Sequence, residues 1–503
     1  MQNSILAFRN NMRQSRGIIT MRVCFKRSLV AVSVASALCV TSSAYATNGM
    51  NLEGYGPEAT AMGGVSQAYD NGAAAMMNNP ATIGMMDTTN RIDIAIGNLR
   101  PDISVTDPSG TQKADSTADS FFMPAFGYLR KVNSRFTTGV GIYSQGGMGT
   151  EYKKDSWMAS GTNEPARSEV GVGRLIIPLN YAVNSRLNIG GSVDFVWGGM
   201  DLQMALPVMV NPATGAPTNM GIAPAGTFGD LLGLPPGSNT MGTVSLSPGL
   251  GAAANNLIAA GYNTVRMNFS NDNDFTGEAK GYGVGAKVGL TYAINPTLNF
   301  GASYHSRTKM SDWKTDSSSA SMEFYEVGGA LPTQTLTGEM AVKNFQWPAQ
   351  WAAGIAYMPG NWMFGIDVNY IQWKDVMESF QMTFTADDSA GLGGETADIT
   401  FYQSWKNQTV VKIGGSYDIS RAFTWRAGLN LANNPIPDAY VNPLFPATIK
   451  NHVTTGFGWN ITRKDAIDFS IAYAPEVKVN NTNTGVQISH SQTNWQLGYN
   501  RRW

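Results

Sequence analysis

The sequence predicts an all-β protein: a transmembrane barrel of 14 antiparallel strands plugged by a small amino-terminal hatch with short helices. Three observations point there. Apolar residues recur with period two, short polar turns alternate with long connections, and only 14% of the 503 residues are charged, against about 25% in an average soluble protein.

The alternation is clearest in "YGVGAKVGLTY". Tyr282, Val284, Ala286, Val288, Leu290 and Tyr292 fall on one face, and Gly283, Gly285, Lys287, Gly289 and Thr291 on the other. In a strand, alternate side chains project to opposite faces, so one face is oily and the other small or polar. The pattern returns in 298–305, 362–370 and 467–473. A soluble sandwich alternates in the same way, and connection length separates the two readings. Short turns occur at 131–135, 183–186, 294–297, 358–361, 418–422 and 462–465, with longer connections between them, the longest at about 204–273. Short turns on one side and long loops on the other characterise outer-membrane barrels. These turns join twelve strands, and the runs 91–106 and 487–503 supply a first and a last.

Aromatic residues gather beside the turns, at Tyr292, Tyr357, Trp362, Tyr417, Phe423 and Trp425. Rings with a polar edge belong at a membrane–water interface. The closing run "NWQLGYNRRW" alternates Trp495, Leu497, Tyr499 and Trp503. A terminal aromatic resembles the signal read by the bacterial outer-membrane barrel assembly machinery, the expected folding partner.

At the other end, Arg22, Lys26 and Arg27 precede an apolar run from Leu29 to Val40, and Ala44-Tyr45-Ala46 has the small-x-small pattern of a signal-peptidase site. Residues 1–46 are read as a signal peptide, with Met21 as an alternative start. Both cysteines, Cys24 and Cys39, fall within it. The segment 47–90 precedes the barrel, 91–503. Its uncharged stretch "NGAAAMMNNPATIGMM", 71–86, can fill a barrel lumen without stranding a charge. Asp70-Asn71-Gly72 is expected to start a short helix across "AAAMMN", ended by Pro80 and Gly84.

From "GYGPEATAMGGVSQAYDNGAAAMMNNPATIGMM" through "DPSG" 107–110, "SQGGMGTEY" 144–152, "WPAQWAAGIAY" 347–357 and "NNPIPDAYVNP" 433–443, the chain resembles the FadL outer-membrane transporters of long-chain fatty acids and their hydrocarbon-uptake relatives. The resemblance covers nearly all of 47–503. It implies a monomer in the outer membrane and a hatch carrying the motif Asn79, Pro80 and Ala81. It also implies loop capture of a hydrophobic ligand, hatch movement, and lateral release towards outer-membrane lipid at a kinked third strand, placed at Gly146 and Gly147. Fatty-acid members carry basic side chains in the pocket; here the corresponding positions are Met204 and Phe401, with Lys343, Lys406, Lys412 and Arg426 as other sources of charge. Long-chain fatty acids stand first as ligand, and neutral aromatic or aliphatic hydrocarbons are the alternative. The stretch from Met204 to Ser270, charged only at Asp230 and Arg266, offers an apolar capture surface or a cap over the barrel mouth.

Other function classes fit poorly. A net charge of −1 without long basic runs argues against nucleic acid. His305, His452 and His490 stand apart from any cluster with metal-ligand spacing, so neither a metal nor another cofactor is expected. No nucleophile elbow or phosphate loop stands out. An outer-membrane lipid hydrolase would need a histidine on the outer face, whereas His305 falls on the lumen face. A general porin would carry rings of charge.

Overall fold

The computed structural model describes residues 48–207, 226–227, 241–273 and 276–503, so the expected signal peptide lies outside the described residues. Pairing runs from Asn90–Thr106 through Phe121–Lys131, Phe136–Tyr152, Ala166–Ala182, Leu187–Pro207, Ala279–Asn295 and Leu298–His305. It continues through Gln350–Tyr357, Trp362–Ile371, Gln408–Asp418, Phe423–Ala432, Asn451–Asn460, Asp465–Asn480 and Gln487–Arg502. The last strand then pairs with the first, from Arg91↔Arg502 to Thr106↔Gln487. Every pair is antiparallel, and the sheet closes on itself into a barrel.

The sheet holds 24 strands among the described residues, more than the 14 expected. The additional ones lie in the long connections. Leu187–Pro207 pairs beyond the wall with Thr264–Phe269, and Gln334–Lys343 with Ser379–Ala386. Backbone that folds over a barrel mouth loses water and must find partners, a demand that turn signals do not encode. The connection 204–273 is a case in point. Instead of an irregular loop it contains the strands Gly242–Leu246 and Thr264–Phe269 and the helix Pro248–Ala259. Pro248 occupies the first turn, where its missing N–H costs nothing. The Glu395 carboxylate accepts the free N–H groups of Gly249 and Leu250 at 2.9 and 3.2 Å. Leu250, Ala254 and Ile258 are buried in the main apolar cluster, so this helix packs over the mouth.

The wall has the two faces that the alternation demands. Along Trp362–Ile371, Ile366 and Val368 are 46% and 47% exposed, whereas Asp367 and Asn369 are 1% and 3% exposed. An outer face bearing isoleucine, valine and aromatics is stable in lipid and costly in water.

Candidate functional site

The segment ahead of the first strand lies inside the barrel, held by side chains from many wall strands. Asp367 Oδ2 accepts the N–H groups of Ser66 and Gln67 at 2.6 and 3.1 Å. Thr454 Oγ1 accepts the Gly63 N–H at 2.8 Å, and Asn430 Nδ2 donates to the carbonyls of Glu53 and Gly63. Arg426 pairs with Glu58 of the segment and with Asp468 of the wall. Each such bond adds about 1 kcal/mol net, and breaking one half strands a buried polar group.

Asn79, Pro80 and Ala81 add further contacts to the wall. Asn79 Nδ2 donates to the carbonyls of Gln67 and Leu290, and its Oδ1 accepts the Ala81 N–H. The Ala81 carbonyl accepts from Asn180 Nδ2 at 3.0 Å. Gly289 lets the Asn79 side chain reach the wall, since a Cβ there would strike Asn79 Oδ1.

The helix expected across "AAAMMN" is a short 3-10 turn, Gly72–Met76, followed by a second at Thr82–Met85. Gly84 therefore lies inside a turn rather than ending one. Asn78 and Asn79 spend their amides on Tyr55, Gln67 and Leu290, holding the backbone between the turns out of a continuous helix.

The wall changes character at Gly146 and Gly147. The strand Phe136–Tyr152 pairs with its predecessor only as far as Ala125↔Tyr143. On its other edge pairing continues to Ala166↔Tyr152, with a register shift between Ser144 and Gly146. A bridge from Ser116 to Tyr152 rejoins the sheet further out. In the interval the segment's start meets the strand: Asn51 bridges Gly146, and the Gly147 N–H donates to the Met50 carbonyl at 3.1 Å. Gly146 has φ 153°, and a Cβ there would run into the Met50 carbonyl. Only glycine accepts both constraints. A cavity of about 430 Å³ opens at this point, lined by Met50, Leu99, Phe122, Gly147, Val172 and Trp197 among others.

On the loop side of the plug the lumen is filled by apolar side chains. Trp313, Phe345, Phe380 and Phe401 follow one another at ring separations of 4.5, 6.2 and 6.3 Å. Trp347, Trp373 and Trp405 form a second run at 5.9 and 5.1 Å. Trp347 Nε1 donates to Asn51 Oδ1 at 2.8 Å, so the plug's tip forms part of the floor. Met204 and Phe401 are both buried in this cluster; neither lines the 430 Å³ cavity.

The four candidate cations lie elsewhere. Lys343 pairs with Asp312 at 3.3 Å and Lys406 is exposed. Lys412 stands opposite Asp367, and Arg426 is held by two carboxylates beside the plug. His305 faces the lumen and contacts the Asn78 carbonyl at 2.7 Å.

The sequence reading missed a buried charge cluster below the gap. Asp194 receives Arg174 at 2.9 Å and also Lys287. Arg174 further donates to Gln145, whose carbonyl accepts from Tyr55 at 2.6 Å. Lys287 was placed on the inward face, but its partners lie on other strands and cannot be read from spacing.

Lipid-compatible outside, plugged inside and short of pairing along one edge of one strand, this architecture defines a plugged transmembrane β-barrel rather than an open pore. Residues 33–500 match the family model described as outer membrane protein transport protein (OMPP1/FadL/TodX), and the chain belongs to that family of outer-membrane transport proteins. It is 20% identical to the long-chain fatty acid transport protein of Escherichia coli strain K12 over 490 residues, 96% of this chain and 99% of that one. The structure of the Pseudomonas putida toluene transporter TodX superposes with a TM-score of 0.74 at 26% identity, covering 90% of this chain and 99% of that one. A shorter likeness, 55% over 75 residues, links 15% of this chain to 37% of the length of an uncharacterized Chlorobium limicola protein.

Proposed function

We propose that the protein takes up small hydrophobic compounds across the outer membrane, with neutral hydrocarbons, aromatic ones above all, as its ligands. The carrying observation is the loop-side cluster, in which Trp313, Phe345, Phe380 and Phe401 succeed one another. Among the described residues the buried cations are ion-paired or, for Lys412, stand opposite a carboxylate. A carboxylate entering the cluster would lose water without gaining a partner. Likeness to the toluene transporter along almost its whole length supports the same ligand class. The second reading is a long-chain fatty acid, supported by end-to-end likeness to the E. coli protein.

The strands joined by short turns form a wall of fourteen, and the unbroken ring of pairing from Asn90–Thr106 round to Gln487–Arg502 supports that count. Residues 1–46 are removed on export, 47–90 act as the hatch and 91–503 form the barrel, which works as a monomer inserted by the assembly machinery. Ligand enters the cluster from the loops, in the region of Met204 and Phe401. The hatch tip at Met50–Asn51 then shifts, and the ligand leaves sideways at Gly146 and Gly147. Entry into lipid avoids re-exposing apolar surface to water at about 25 cal/mol per Å².

Competition between toluene and oleate on the purified protein tests the ligand. Toluene should displace bound aromatic probe while oleate at equal free concentration does not. Displacement by oleate alone would install the fatty-acid reading.

A further inference from the structure

A polar cleft on the outside of the barrel plays no part in this route. Its volume is about 530 Å³, and Arg307, Lys309 and Lys343 line it together with Gln346, Asp375 and Glu378. Register shows which way its cations point. Lys309 pairs with Val284, which is 46% exposed on the outer face, and directly paired residues share a face. Lys343 lies two residues from Ala341, the partner of Lys314, and Lys314 in turn pairs with the outward Lys280. Lys309 and Lys343 therefore project away from the lumen.

Their level is also fixed. The outward apolar series on Ala279–Asn295 runs from Tyr292 by the short turn to Tyr282, 68% exposed, and Lys309 stands opposite Val284 near the far end of that series. On the neighbouring strands the apolar band ends in Tyr304 and Trp351, whose rings are 4.3 Å apart. Arg307 and Lys309 follow Tyr304 on the side away from the turn. The cleft thus begins where the aromatic boundary stops, at the depth of the lipid headgroups.

We infer that this cleft binds the phosphate groups of the phosphorylated glycolipid that forms the outer leaflet of the membrane. The inference rests on the loops facing outwards, as the proposed function has them. Three cations line the cleft against two carboxylates. Among the described residues Arg307 and Lys309 form no ion pair, and Lys343 is engaged only by Asp312, itself part-exposed. A guanidinium and two ammonium groups around one opening suit a phosphate's several acceptor oxygens.

The test titrates the full-length purified protein with bisphosphorylated lipid A in detergent and counts bound lipid by native mass spectrometry. The triple variant Arg307→Ser, Lys309→Ser, Lys343→Ser should bind on the order of a hundredfold more weakly than the parent, as expected for losing three headgroup-level cations. A control pair on the short-turn side, Arg463→Ser with Lys464→Ser, should bind as the parent does. Dephosphorylated lipid A should not distinguish parent from triple variant. Equal affinity of parent and triple variant for the bisphosphorylated lipid would overturn the proposal. So would equal affinity of the parent for phosphorylated and dephosphorylated lipid, or displacement by inorganic phosphate at the concentration of the lipid. If the triple variant does not assemble, Lys309→Ser alone decides, with a loss of about fivefold expected and no loss overturning the assignment. Hydrocarbon uptake does not enter this readout, so failure here is separable from failure of the transport reading.

Discussion

The two halves of the lumen are built on opposite principles. Beside the short turns, the amino-terminal segment is fixed by hydrogen bonds and ion pairs from several wall strands, through Asn180, Asp367, Asn430, Thr454 and Arg426. Beyond it, Trp313, Phe345, Phe380 and Phe401 pack with little directional bonding. Polar contacts have one good geometry and hold a plug in one place. Apolar contacts are non-directional and accept a guest of variable shape. A transporter of oily molecules needs both, one to keep ions out and the other to let the ligand in.

Removing the polar half should have the largest effect. A chain beginning near Arg91 retains every strand of the ring, and it should insert yet pass small hydrophilic solutes at a rate on the order of a hundredfold higher, since wide barrels without a plug are aqueous channels. Liposome swelling measures it; a barrel as tight as the parent would end the distinction between the halves. One side chain makes a finer cut. Asp367→Ala leaves the Ser66 and Gln67 N–H groups without an acceptor, at about 2 kcal/mol, or roughly thirtyfold faster hydrogen exchange at those amides. Unchanged protection would mean that the plug is held by shape alone.

The boundary between the halves is tested at the gap. Replacing Gly146 and Gly147 with valine puts a branched side chain where φ is 153° and the Met50 carbonyl is in the way. A Cβ at Gly146 forces the hatch start off the strand, so uptake into intact cells by the variant that assembles, as heat-modifiable migration reports, should fall about tenfold. Full uptake in an assembled variant would place the exit elsewhere. In the apolar half, Phe401→Lys buries a cation among rings and should weaken toluene binding a further step less, about fivefold, while improving oleate binding. Weaker binding of both ligands would mean damaged packing rather than altered selectivity.

The smallest effect concerns the cap over the mouth. A hydrogen bond from Ser247 and the N–H of Leu250 hold the Glu395 carboxyl below its ordinary range. A depressed carboxylate stabilises the fold above its unfolded pKa, and that contribution disappears as pH falls through the lower folded value. Amide protection in the helix Pro248–Ala259 should therefore decline a few-fold only on acidification below about pH 4, and Glu395→Gln should abolish the pH dependence. Dependence that survives the substitution would assign it to another group.

The wall was legible because period two and turn length are local properties. The runs at 282–292 and 362–370 and the six short turns are all strand segments and turns in the structure. The loop strands were not, since Thr264–Phe269 pairs with Ala320–Tyr325 and Leu187–Pro207, partners tens of residues away. The plug's composition showed that it could be buried, yet its turns depend on Asn78 and Asn79 reaching other segments. Of the site residues, Gly146 stood out as glycine in a strand. Asp367 was visible as a carboxylate on an inward face, a signal for a plug contact that the sequence reading did not use. Arg174, Asp194 and Lys287 lie on three strands, and only the closed ring unites them.

Anomalous diffraction from crystals soaked in 4-bromotoluene tests the central claim most directly, because it locates the guest without relying on transport. The account predicts a bromine peak on the loop side of the plug, among Phe345, Phe380 and Phe401. A peak among the polar contacts of Asp367, Asn430 and Arg426 would contradict it.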